Sequence, residues 1–313
     1  MALKSLEKLE DTHQPIAGVK DISHYWDDKS LYAVIAAVAA GKPLLVRGEP
    51  GTGKSQLARA AAHVLNRQFI SVVVQPYLEA QDLLWSMDYT ARLADSQLGE
   101  DKRGAIDDLS RYLCAGPVWW AIDPATARSR AKSQHQYTPP TDFSELGKGT
   151  VLLIDEIDKA DIAIANSLLE VMAEGGFSVP HLAQRIAVPT GSATPLIVFT
   201  SNDTRELPAA FVRRCATLWL KVPEDLVVHL IKLGQQRYPR IHADCLSSAA
   251  AMIRDDRIKC RDGVRTGIAE YMDLLRALDE LTGDIKDEEE RRAKQDYWLG
   301  KIGAYSFKSD PGR

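Results

Sequence analysis

Gly48-Glu-Pro-Gly-Thr-Gly-Lys-Ser55 decides how this chain reads. The stretch satisfies the phosphate-loop pattern G-x-x-x-x-G-K-[ST] at every fixed position. Before it, Pro43-Leu-Leu-Val46 is a short apolar run of the kind a buried strand shows. After it, the segment from Lys54 to Leu65 carries Leu57, Ala60, Ala61 and Val64 at helical spacing. The motif therefore stands between a strand and a helix, where a phosphate loop has to stand. Its glycines let the backbone wrap an anion and present N–H groups to it without Cβ clashes. The start of the helix adds the positive end of its dipole. These features assign Gly48, Glu49, Pro50, Gly51, Thr52, Gly53, Lys54, Ser55 and Gln56 to nucleotide phosphates. The Lys54 ammonium is expected on the β- and γ-phosphates and the Ser55 hydroxyl on Mg²⁺.

A second motif, Val151-Leu-Leu-Ile-Asp-Glu-Ile-Asp-Lys159, follows about one hundred residues later. Four apolar residues in a row predict a parallel strand buried on both faces, and the strand ends in two carboxylates. Ligands of open α/β sheets sit at the carboxyl ends of the strands, so both carboxylates are expected to face bound phosphates. Asp155 is placed to complete the Mg²⁺ shell, and Glu156 to polarise a water for attack on the γ-phosphate. Asp158 and Lys159 read as a local helix-start pair.

Between the motifs, Lys29 to Ala40 predicts a helix and Phe69 to Gln75 a β-branched strand. From Pro76 to Thr150 the pattern loosens. Trp119 and Trp120, in the apolar island Cys114 to Ile122, read as core residues, with a partner contact as the lesser alternative. Arg128-Ser-Arg-Ala-Lys132 reads as a solvated helix face. Past the second motif, Asp161 caps a helix that Gly175-Gly176 ends. Phe177–Val179 and Ile186–Val188 can pair as a hairpin. Pro195 to Ser201 predicts a buried strand, Leu207–Arg213 a short helix and Ala216–Val222 a further strand. After Pro223 the chain reads as helical: Glu224–Tyr238, Leu246–Arg254, Gly263–Leu281 and a charged segment from Asp287. In that segment Asp287/Arg291, Glu288/Arg292 and Glu290/Lys294 are i,i+4 pairs of favourable polarity.

With 313 residues, 45% of them hydrophobic, the chain is long enough for one large domain and a smaller one. A formal net charge of -4 argues against tight, nonspecific nucleic-acid binding, though local basic patches stay open. Four scattered cysteines, Cys114, Cys215, Cys245 and Cys260, form no C-x-x-C and fit reduced thiols of a cytoplasmic protein. The charged start of the chain lacks a signal-peptide core, and the longest apolar stretch, Leu31 to Val46, is broken by Gly41-Lys42-Pro43. It predicts a helix and a strand, not a membrane span.

On these residues the sequence resembles the AAA+ ATPases, and within them the MoxR branch. Gly48–Ser55, Val151–Lys159, the Leu168-Leu-Glu-Val-Met172 helix, the hairpin after it and Thr200-Ser-Asn202 carry the resemblance, over roughly Lys29 to Val222. It implies an α/β fold with a central parallel sheet over 1–222, with an insertion at about 76–150, followed by a small α-helical lid over 223–313. It implies hydrolysis of ATP with Mg²⁺ by a self-assembled ring, a hexamer, that remodels a client protein or a partner with a von Willebrand factor A domain. The disfavoured alternatives are a nucleic-acid-directed motor or loader of restriction or defence type, and a slowly hydrolysing, nucleotide-dependent scaffold. Asn202 matches the family's polar residue called sensor 1, with a turn residue as its plainer reading. Arg214, with Arg213 in reserve, matches the arginine that a neighbouring subunit supplies. Arg265 matches the second sensor arginine, with Arg261 as the alternative, because Val264 stands where the family often has proline. Trp85 and Tyr89 fall where the family grips its partners, but no aromatic-hydrophobic-Gly signature accompanies them.

Overall fold

The computed structural model describes residues 26–97, 107–134, 149–182, 185–259 and 265–306. Cys260 and Arg261 lie outside the described residues. The chain divides into two compact units. The first contains Asp28–Val46 and Ala58–Leu218, and the second contains Arg47–Leu57 and the chain from Trp219 onward.

The apolar runs of the first unit become strands of one parallel sheet. These are β1 (Leu44–Gly48), β2 (Gln68–Val73), β5 (Thr150–Asp155), β8 (Leu196–Ser201) and β9 (Ala216–Leu220), in spatial order β2-β5-β8-β1-β9. In β5 every residue from Thr150 to Ile154 is buried and only Asp155 emerges. A parallel strand covered on both faces requires such an unbroken apolar run. Phe69 is in register with Val151, and Leu152 with Ile197. At the sheet edge, β2 leaves Val73 exposed.

Helices α1 (Asp28–Ala40) and α2 (Lys54–Val64) flank β1 in sequence. The loosely patterned segment folds into α3 (Ala80–Leu84), β3 (Trp85–Met87), α4 (Tyr89–Gln97), β4 (Leu113–Ala115), α5 (Pro117–Ile122) and α6 (Pro124–Gln134). Strands β3 and β4 pair antiparallel, Trp85 opposite Ala115. Trp119 and Trp120 are fully buried, as their core reading requires. Trp119 donates from Nε1 to the Thr126 hydroxyl at 2.9 Å and meets the Phe177 ring edge-on. Within the basic run Arg130 is half-buried: it lies over the Trp119 ring and donates to the Ser110 carbonyl. Trp85 departs from the sequence reading. It is 8% exposed, seated in the core beside His181, and is not presented to a partner, whereas Tyr89 is 68% exposed.

After β5 comes α7 (Ile162–Glu174). Asp161 caps it by accepting from the Ala163 N–H at 2.8 Å, and Gly175 ends it in a left-handed conformation. Strands β6 (Gly176–Ser178) and β7 (Arg185–Ala187) form the expected hairpin, Phe177 opposite Ile186. The short helix α8 (Ala209–Arg214) precedes β9.

The second unit holds α9 (Leu226–Arg237), α10 (Ala243–Lys259), α11 (Ile268–Thr282) and α12 (Glu288–Ile302). Leu230, Leu246, Tyr271, Leu275, Leu278 and Leu299 are among the residues of their shared core. Two of the arginines expected in i,i+4 pairs on α12 find other partners. Arg292 pairs with Asp244 at 2.6 Å, and Arg291 donates to the Ile285 carbonyl at 3.1 Å. Aspartate 287 caps the helix, accepting from the Glu290 N–H at 2.8 Å. Cys114, Cys215 and Cys245 are free thiols, and burial pushes Cys215 and Cys245 up to about 12. Among the described residues, no helix is long and apolar enough to cross a membrane.

Candidate functional site

The loop residues belong to the second compact unit. Gly48 leaves β1 at φ +152°, and a Cβ there would lie 2.3 Å from the Leu220 carbonyl oxygen, so no other residue fits without moving backbone. Gly53 turns the loop at φ +88° with nothing within 4 Å of where a Cβ would be. The loop is braced from within: the Thr52 hydroxyl donates to the Glu49 carbonyl at 2.8 Å. Lys54 opens α2 and is only 7% exposed. Its ammonium donates to the carbonyls of Gly48 at 2.9 Å and Glu49 at 2.8 Å. A buried ammonium needs such acceptors, and it lies within the turn of the loop. Ser55 and Gln56 follow half-buried, and the Gln56 side-chain oxygen is buried with no hydrogen-bond partner.

An arginine that no motif announced also reaches this loop. Arg257, in the last turn of α10, pairs with the Glu49 carboxylate and donates to the Thr266 carbonyl. Thr266 in turn donates to Asp256. The resemblance points instead to Arg265, within Gly263-Val-Arg-Thr266, with Arg261 just ahead of it as the alternative. Arg265 is exposed just ahead of α11. Arg257 sits inside a regular helix with no pattern around it, and only its pairing with Glu49, 208 residues away, reveals it.

The carboxylates belong to the first unit. Asp155 ends β5 and accepts a short hydrogen bond from the Thr200 hydroxyl. That hydroxyl also accepts from the Glu156 N–H at 2.9 Å, so one buried threonine on β8 fixes both residues. Glu156 itself is left-handed, with φ 61°. A glutamate there is strained by roughly 1–3 kcal/mol and persists because its surroundings hold it. Both carboxylate oxygens are engaged: Oε1 accepts from the Asn202 amide at 3.2 Å and Oε2 from Lys159 at 2.7 Å. The Glu156 carboxylate in turn holds the Lys159 ammonium above its usual range.

Asp158 does open a short 3₁₀ helix, Ile157–Lys159, but it is 2% exposed and its partners are not local. Its carboxylate accepts from the Asn202 N–H at 3.3 Å, the Thr204 N–H at 3.0 Å and the Thr204 hydroxyl at 2.5 Å. Burial pushes its carboxyl up, but the bonds from Thr204, its own backbone and Asn202 outweigh burial and hold it below the usual carboxylate range. The structure thus brings Asp155, Glu156 and Asn202 together, with Thr200, Asp158 and Lys159 as supports that the motifs alone did not specify. Arg213 and Arg214 stand exposed at the end of α8.

Comparison with known proteins bears on the family and the fold. Residues 43–215 match the model of the AAA domain, dynein-related subfamily. CD-NTase-associated protein 6 of Pseudomonas aeruginosa is 27% identical over 213 residues, which cover 66% of this chain and 54% of that protein. The chain therefore spans about half the length of that curated relative. Among solved structures, the RuvB Holliday junction branch migration motor of Thermotoga maritima superposes with a TM-score of 0.50. Its identity is 14%, over 91% of this chain and 70% of that one, a likeness of fold.

Proposed function

The chain belongs to the dynein-related subfamily of AAA domains, and from that premise we propose that it hydrolyses ATP as a ring of identical subunits that remodels or activates a partner protein. Residues 1–222 act as the nucleotide-binding domain and 223–313 as its helical lid. Gly48 to Gln56 take the phosphates, with Lys54 on the β- and γ-phosphates. The Ser55 hydroxyl and the Asp155 carboxylate are oxygen donors of the kind Mg²⁺ takes, and the metal supplies neutralisation of phosphate charge. Glu156 accepts the proton of a water whose oxygen attacks the γ-phosphorus in line, while the bond to the ADP oxygen breaks. Asn202 orients that water. Arg214, or Arg213 in its place, reaches a neighbouring subunit's phosphates, where a planar, permanently charged guanidinium suits developing charge. Arg265 reports nucleotide state to the lid, with Arg261 as the alternative.

The observation that carries this reading is Glu156, held at both oxygens where a buried strand ends. The MoxR-like branch, a hexameric ring, a von Willebrand factor A-domain partner and a cytoplasmic setting complete the proposal. The curated relative is named for its association with a CD-NTase, and an association partner is what this reading calls for. Equilibrium ATP binding and phosphate release, measured on three proteins, test it. Wild type binds and turns over. Lys54→Ala loses binding, because a direct phosphate contact goes. Glu156→Gln binds as wild type does and turns over far more slowly. Wild type without phosphate release, or Glu156→Gln losing binding as Lys54→Ala does, contradicts it.

A further inference from the structure

We propose that Asp158 is a positioning residue for hydrolysis: its carboxylate fixes the turn that carries Asn202, and Asn202 fixes the Glu156 carboxylate. The proposal rests on the ATPase reading above and adds to it a carboxylate to which the motif reading gave only a local structural role.

The donors to Asp158 lie 44 and 46 residues further along the chain, in the turn after β8. Two of the three bonds it takes from that turn come from backbone N–H groups, so the carboxylate fixes the path of the chain and not merely a side chain. That path is strained. Asp203, between the two bonded amides, has φ 55° without being glycine, a conformation that lasts only where the surroundings enforce it. The Ser201 hydroxyl, accepting from the Asp203 N–H at 3.0 Å, is a second support. Burying a carboxylate is costly unless it is fully bonded, and an apolar side chain could have filled the same space. What the carboxylate adds is placement. The residue whose N–H it holds is Asn202, and the Asn202 amide lies 3.2 Å from Glu156 Oε1. A backbone shift at Asn202 therefore carries the amide away from the base. Misplacement of a catalytic group by about 1 Å can cost on the order of 10² in rate.

The test compares wild type, Asp158→Asn, Asn202→Ala and the double variant. Asparagine keeps the shape and one acceptor oxygen, but its NH₂ group opposes the donors of the turn. Expected for Asp158→Asn are a kcat lower by roughly ten- to a hundredfold, an unchanged Kd for ATP, and faster amide hydrogen exchange confined to residues 202–204. The double variant turns over no more slowly than Asn202→Ala alone, because Asp158 acts through Asn202. An unchanged kcat in Asp158→Asn overturns the proposal. So do rate losses that multiply in the double variant, or exchange that spreads through β5 and β8, since these mark a structural role. If Asp158→Asn does not fold, Thr204→Val removes one donor from the same carboxylate and carries the same comparison at smaller amplitude. Wild type that binds ATP without turning it over fails in its own arm, before any variant is compared. That outcome rejects the ATPase reading, and the proposal with it.

Discussion

Glu156, Asn202 and Asp158 mark how far single residues can be read. Glu156 is visible because a buried strand ending in Asp-Glu has few other uses when a phosphate loop precedes it, and Asn202 because it ends the next buried strand. Asp158 is not visible, since its partners are remote in sequence and a carboxylate after a strand normally reads as local. Its titration gives a direct check. The folded-state carboxyl is depressed, so its contribution is complete above the unfolded value of about 3.9 and is lost as pH falls through the folded value. Asp158→Asn should therefore be less stable than wild type at pH 7, by about 1–3 kcal/mol for buried donors left poorly matched. The gap should close as the pH drops below about 4. Urea-unfolding midpoints of both proteins from pH 7 downward measure it, and a gap that stays constant would show that the charge of this carboxylate is not its source.

Elements were legible where their burial is simple. Strands β1, β5 and β8 are covered on both faces or nearly so, and each appears in the sequence as an unbroken apolar run. Strands β3 and β4 are three residues each, are separated by residues 88–112 and show no alternation, so nothing in the sequence marks Trp85 as core. The helices after Pro223 were recognisable by period, with ends displaced by a few residues, because caps such as Asp225 and Asp287 set the boundaries. Packing among them makes a prediction with two signs. An alanine at Gly234 in α9 would place its Cβ 2.7 Å from the Tyr271 hydroxyl, 2.8 Å from Leu246 Cδ2 and 2.9 Å from Leu275 Cδ1. Alanine gains about 1 kcal/mol of helix propensity, but overpacking costs about 1–3 kcal/mol. Gly234→Ala should lower the unfolding midpoint. In α12 a Cβ at Gly300 meets nothing within 4 Å, so Gly300→Ala should raise it. Denaturant titrations read both, and stabilisation by Gly234→Ala would refute the close packing of α9 on α10 and α11.

At the scale of the molecule, the family was legible from two motifs and the order of elements, since a phosphate loop needs its strand, its helix and its carboxylates. The partner and the ring were not, because they are properties of surfaces that meet other chains, and no periodicity within one chain records them. Arg214 is where that scale becomes testable: it is exposed at the end of α8, and the account assigns its charge to a neighbour's phosphates. Arginines delivered in this way are worth roughly 10³–10⁵ in kcat in related phosphate chemistry. The central claim, an ATPase whose sites are completed between subunits, is tested most directly by mixing two inactive proteins, Arg214→Ala and Lys54→Ala, and measuring phosphate release. Mixed rings contain interfaces that join an intact loop to an intact Arg214, and the account predicts that the mixture recovers part of the wild-type rate while each protein alone stays inactive. Mixed rings shown to form, with no recovery of phosphate release, would contradict it.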